Sequence, residues 1–199
     1  MKLSRPTLIF LIACIGLGFL LGMFSSFLVA HGQQAIPAGE RLMMSVCAAG
    51  VLAAVSTFLS GNRAQAQASS EEDRLAKQFT PIAERAVVYV FRDAFYGKFL
   101  GLDVTLDGTT LGQTRGKTYF RLDLAPGEHV LVSHNPQNDS VTEHRFSVAA
   151  CSISFLEHRV RLGGGALKHD FATVEAAAAA ARVRRCRMLA LPQVQAAAA

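Results

Sequence analysis

The chain holds 199 residues, 51% of them hydrophobic and 18% charged, with a formal net charge of +5 at pH 7. That length suits one ordinary domain with additions, and a mean hydropathy of +0.28 excludes an evenly polar soluble chain. The basic excess does not read as a nucleic-acid surface. Its densest run, Arg182, Arg184, Arg185 and Arg187, carries no interleaved aromatic residue on which a base would stack, and it reads instead as a solvated or membrane-facing helix end.

The apolar excess lies mostly in residues 7–60. Lys2 and Arg5 precede residues 7–30, which carry no charge and exceed the roughly 20 apolar residues that cross a bilayer. A second uncharged run covers 42–60, and the polar stretch between the two contains Pro37 and Gly39. As a pair they read as a helical hairpin in the membrane. Lys2 and Arg5 before it and Arg63 and Arg74 after it, against Arg41 offset by Glu40 between the runs, put both ends in the cytoplasm. The competing and preferred reading makes the second run a signal peptide, with Arg41 at its head and an apolar region at 46–59. Behind that region lies AQAQA at 64–68, where Ala66 and Ala68 each complete a small-x-small cleavage site. On this reading Met43 and Met44 are candidate starts, and if the full chain is made instead, cleavage requires that the first run not invert the second. Cys14 and Cys47 sit inside the apolar runs, placed as small hydrophobes rather than as lipid-attachment sites.

Residues 61–85 read as a charged linker, with a helical turn or two around Glu71–Phe79 capped by Ser69 or Ser70 and ended by Pro81. Strand signals follow closely. Residues 86–91, AVVYVF, are β-branched and aromatic; residues 102–108 alternate, with Leu102, Val104 and Leu106 on one face. Asp107 and Gly108 form a tight-turn signal, because Gly accepts a positive φ, and 110–114 is the return strand. In residues 118–124 Phe120, Leu122 and Leu124 share a face, and Pro126 and Gly127 supply the next turn. Residues 129–134 form a further strand, and HRFSVA and SISFLEHRV another pair. The glycines at 163–165 break the chain as a flexible connection, and the alanines from 176 lead into a short helix that Pro192 stops. The fold expected is all-β: a small antiparallel sandwich over 86–191 with a short C-terminal helix, one or two hydrophobic helices before it and a disordered tail at 192–199.

The motifs VVYVFRD, FYG, DVTLDGTTLGQT and YFRLDLAPGEH, with the lead-in AKQFTP, resemble a bacterial family of unknown function found mainly in small envelope lipoproteins. Its members typically show a VYVYR strand, a DVYVDG hairpin, a YF strand and an L-x-PGEH turn. The stretch from DGTTLGQT to LAPGEHVL is also similar to the PEGA-type sandwich repeat of envelope proteins. The resemblance covers about residues 75–190 and implies a compact sandwich on the envelope side of the inner membrane, with no known enzymatic activity and no catalytic residues to carry over. The chain departs from the family in lacking the lipid-attachment cysteine and in having two apolar runs.

Reactive chemistry is sparse. His129, His134, His144, His158 and His169 lack the tight local spacing of a zinc site. His129 and His134 fall on opposite faces of one strand, while His144 and His158 are placed to meet across a hairpin. All read as partly exposed strand histidines, with no metal and no cofactor expected. Cys151 and Cys186 are candidates for a disulfide in an oxidising compartment and free thiols in a reducing one. Asp103, Asp107, Asp123 and Glu128 lie on outward faces or in turns. No nucleophile elbow, phosphate-binding loop, HExxH or dinucleotide fingerprint appears.

The expected function is therefore a non-catalytic binding or structural module of the bacterial envelope, at the inner membrane or in the periplasm. Its expected partners are the membrane and an envelope protein, peptide or glycan. The alternatives are a two-span membrane protein with a cytoplasmic accessory β-domain, and an envelope enzyme assembled from scattered His and Asp.

Overall fold

A computed structural model describes residues 5–32, 36–59, 61–94, 98–163 and 166–192, with side chains of the first helix described from Cys14 onward. The chain divides into two units, Met1–Ser60 and Gly61–Ala199. The first unit pairs helix α1 (Arg5–Ala30) with helix α2 (Ala38–Leu59). Small residues make their contact. Gly18 faces Ser45, Gly22 faces Arg41, and Ser25, Ser45 and Ala49 are buried, so the two backbones approach closely. Ser25 Oγ accepts from the Ile36 amide at 3.1 Å, fixing the start of the return. The large side chains Ile15, Phe19, Met23, Phe24, Leu42 and Leu52 point outward. Among the described residues no helix is long and apolar enough to cross a membrane.

The second unit is the β-domain, whose elements in chain order are α3 (Ser70–Ala76), β1 (Ala86–Arg92), β2 (Leu102–Leu106), β3 (Thr109–Thr114), β4 (Thr118–Leu124), β5 (Gly127–Asn135), β6 (Ser140–Val148), β7 (Ile153–Gly163), β8 (Ala166–Thr173), α4 (Ala176–Val183) and β9 (Arg187–Met188). They form two sheets, ordered β8-β7-β1-β4-β9 and β3-β2-β5-β6. An all-β sandwich is what the strand signals led us to expect, but it is not wholly antiparallel: β1 runs parallel to β7 and β4 parallel to β9. HRFSVA and SISFLEHRV do not pair either, because β6 joins β5 in one sheet while β7 joins β1 and β8 in the other. The turn between β6 and β7 carries the chain from sheet to sheet, with Cys151 at φ 58°. Pro126 and Gly127 make a second crossing of this kind, Gly127 at φ 139° opening β5. Asp107 and Gly108 do close a hairpin, at φ 48° and 78°, the positive pair that a two-residue turn between twisted strands requires.

Two cores result. Ala86, Val88 and Val90 enter the one between the sheets, with Leu106, Leu111, Phe120, Leu122 and Leu131. Val87, Tyr89 and Phe91 enter a second, where Phe155, Ala179 and Val183 meet them under α4. Every residue of β1 is buried, which is why its sequence runs apolar without alternation. Helix α3 opens with Ser69 and Glu72 exchanging hydrogen bonds with each other's backbone. Helix α4 ends at Val183 with Arg184 as its cap, short of Pro192, because the chain turns there into β9. Residues 61–85, expected as a linker, are built into this unit. The expected tail beyond Pro192, the glycines at 164–165 and the FYG motif at 95–97 lie outside the described residues.

Candidate functional site

Polar side chains collect between the sheets at one end of the sandwich. Strand alternation puts them there: Leu131, Ser133 and Asn135 of β5 are buried together, as are Leu156, His158 and Val160 of β7. His158 is fully buried, its Nδ1 2.8 Å from Thr114 Oγ1 and its Nε2 2.9 Å from Ser133 Oγ. Phe171 of β8 stacks on its ring at 4.4 Å between centroids, and His169 meets it edge-on at 5.9 Å. Arg92, at the end of β1, is also fully buried and donates from Nη1 to the carbonyls of Leu100 and Thr114.

Burial pushes the Arg92 guanidinium down to about 10. His158 is held well below the ordinary histidine value, first by burial and then by the charge of Arg92 and by His169. His169 is lowered too, mainly by burial. Its Nε2 lies 3.2 Å from the Ser140 carbonyl, which can only accept, so Nε2 carries the proton. Its Nδ1 is then a buried acceptor with no hydrogen-bond partner among the described residues.

A hydroxyl, an imidazole and a second hydroxyl in line resemble a nucleophile, base and orienting group. Three features of this arrangement argue against that chemistry. The third group is the Thr114 hydroxyl rather than a carboxylate, so nothing there stabilises an imidazolium. Arg92 and burial oppose the proton a base must take up. Ser133, Thr114 and His158 are also inaccessible, each at 0% exposure. The arrangement does join the two sheets, since Thr114 and Ser133 belong to one and His158 to the other. Partly exposed histidines were expected; His158 and His169 are buried instead, and the hairpin expected between His144 and His158 is a shared contact with Phe171. Leu167, His169 and Phe171 alternate with Lys168 and Asp170, a strand signal that breaks down if His is counted as polar.

The remaining candidates lie nearer the surface. His129 Nδ1 is 2.7 Å from Asp107 Oδ2 and its Nε2 2.9 Å from the Ala125 carbonyl. Burial works against the charge, but Asp107 and Ala125 outweigh it and raise His129 above its ordinary value. Both nitrogens face acceptors, so the ring ties the turn together and, when protonated, donates from both. Asp103 pairs with Arg63 at 2.7 Å, and Arg121 with Asp123 at 3.2 Å, while Glu128 borders a shallow hollow beside Val130 and Arg145. Of the basic run, Arg184, Arg185 and Arg187 are exposed, while Arg182 forks onto Glu157 and reaches Asp93, which also takes Lys117 and Arg185. Burial opposes the charge on Asp93, yet the three cations hold its carboxyl below the ordinary range.

Cys151 and Cys186 are free thiols. Cys151 is exposed in its turn, whereas Cys186 is buried in the second core, where burial raises its thiol to about 11. Among the described residues no three metal-ligating side chains converge.

Residues 82–169 match the family described as a protein of unknown function, DUF2846. The match spans the strands from β1 into β8 and every residue of the buried polar cluster, and it leaves out residues 61–68, α3, α4 and β9. An uncharacterized protein of Haemophilus influenzae is 31% identical over 87 residues, 43% of this chain and 52% of that protein. The chain thus spans about half the length of this curated relative. What the comparisons support is a domain of unknown function.

Proposed function

We propose that the protein is a non-catalytic β-sandwich module, binding or structural, tethered to the bacterial inner membrane by its N-terminal apolar helices. The observation that carries this reading is the outward surface of those helices. Phe19, Leu20, Met23, Phe24 and Phe27 on α1, with Leu42, Met43, Val51 and Leu52 on α2, are all about half exposed or more. A contiguous apolar surface of that kind belongs against lipid or protein rather than water. Residues 7–30 are uncharged throughout. The non-catalytic reading draws on the β-domain: the Thr114–His158–Ser133 array is sealed, and both ring nitrogens of His129 beside Asp107 face acceptors.

The resemblance to envelope lipoproteins agrees with a membrane address, the hairpin here standing where the lipid would. Washing cell membranes with alkaline carbonate tests the tether. Full-length protein is expected to stay in the pellet; release into the wash, as for a peripheral protein, overturns the reading.

A further inference from the structure

Residues 61–68, GNRAQAQA, carry the sequence pattern of a signal-peptidase site, yet the fold uses them as a strap across two sheet edges. At β3, the Gln113 side chain is 2% exposed and spans the strap's backbone, with Oε1 accepting from the Arg63 amide and Nε2 donating to the Gly61 carbonyl, each at 2.7 Å. Asn62 is matched in the same way to the loop before β2, donating to the Phe99 carbonyl and accepting from the Gly101 amide. Gln65 then links the two sheets: its Oε1 accepts from the Gln113 amide and its Nε2 donates to the Ala190 carbonyl, just past β9. Beyond it the strap becomes strand-like, the Ala190 amide donating to the Ala66 carbonyl and the Ala68 amide to the Met188 carbonyl.

The domain is shaped to receive this segment. Gly112 sits at φ 127° with the Gln65 side chain against it, so that any Cβ there would collide. The Ala-Gln alternation follows from an extended chain, in which every second side chain reaches the fold and small residues separate them. Cleavage after Ala68 would strip both edges, and cleavage after Ala66 would strip β3 and remove the Ala66 and Gln65 contacts to Ala190, leaving unpaired backbone that β-proteins ordinarily cover.

We infer that residues 61–68 are a structural strap retained in the mature protein, and that the chain is not processed at Ala66 or Ala68. The inference builds on the tethered reading, because a retained strap keeps the N-terminal helices covalently joined to the β-domain. The test is the intact mass of the protein expressed as the full chain and recovered from fractionated cells. A full-length mass is expected, and an N-terminus at Gln67 or Ser69 overturns the inference. A full-length chain that carbonate releases from the membrane would sustain the strap while removing the tether, so the two failures are distinguishable. The strap's hold is read separately by trypsin cleavage after Arg63 in full-length protein in detergent micelles. Gln113→Ala is expected to speed that cut by about tenfold, as losing roughly 1.4 kcal/mol of local protection implies. An unchanged rate would show that Gln113 does not hold the strap and would overturn the inference.

Discussion

His158 meets two hydroxyls, a phenyl ring and a second imidazole, and this company sets its response to pH. In the unfolded chain a histidine titrates near 6.5, whereas the folded value is held well below that, chiefly by burial. Between the two values the unfolded state binds a proton that the folded state refuses. Stability from this residue is therefore complete above about pH 6.5 and is lost as pH falls, at up to roughly 1.4 kcal/mol per pH unit. His169 acts in the same direction, while His129, raised in the fold, acts oppositely and loses its contribution as pH rises through its folded value. His158→Gln keeps a group able to bridge Thr114 and Ser133 but cannot take the proton. Urea unfolding at pH 7 and pH 5 is expected to show the variant weaker at pH 7, by about 1–2 kcal/mol for imperfect hydrogen bonds, with a smaller loss on acidification than the wild type. An equal loss in both would remove His158 as the source.

Helix α4 is held to the sheet by its buried apolar face and by one arginine near its end. Ala179 and Val183 give it a narrow buried face, and Glu175 caps its start by accepting from the amides of Ala177 and Ala178. Arg182 lies over the Phe91 ring at 5.1 Å and neutralises Glu157 and Asp93, whose side chains are 13% and 5% exposed. Arg182→Ala leaves Glu157 to Arg159, and Asp93 to Lys117 and Arg185, at a cost of about 2 kcal/mol. For a domain of this size that is a fall in Tm of roughly 8 °C. In the Glu157→Ala background the same change is expected to cost clearly less, and strict additivity would argue against the coupling. The sequence made the helix legible through its alanines and hid the role of the arginine, because its acids lie far away in the chain at positions 93 and 157. The same limit governs the sheets. The unbroken apolar run of β1 and the Asp107–Gly108 turn are local signals and were readable; the parallel pairing of β1 with β7 depends on partners more than 60 residues apart (Val87 and Ile153). Arg92 reads as the polar end of a strand, and nothing beside it in the sequence indicates that the β1 end is buried.

For the molecule as a whole, the strap alters the balance between compartments. With AQAQA taken as a cleavage site, the β-domain belongs to the periplasm. With that segment retained, two apolar helices precede the domain, and the arginines and lysine flanking them, Lys2, Arg5, Arg63 and Arg74, favour the cytoplasm for both ends. The two cysteines of the β-domain differ in access, Cys151 being exposed and Cys186 buried. Cys151 is then a natural reporter. Cys186 is buried with its thiol raised to about 11, so it reacts slowly, and Cys14 and Cys47 lie within the apolar helices. A membrane-impermeant maleimide added to spheroplasts is expected to leave the protein unlabelled until the cells are lysed. Labelling after lysis should then vanish in Cys151→Ser, which identifies the thiol that reacted. Labelling of intact spheroplasts that Cys151→Ser abolishes would place the β-domain outside the inner membrane and restore the periplasmic address. If the same protein also had full-length mass, the hairpin would have to insert against its charge distribution, and reversing Lys2 and Arg5 to acidic residues would be the next variant to label.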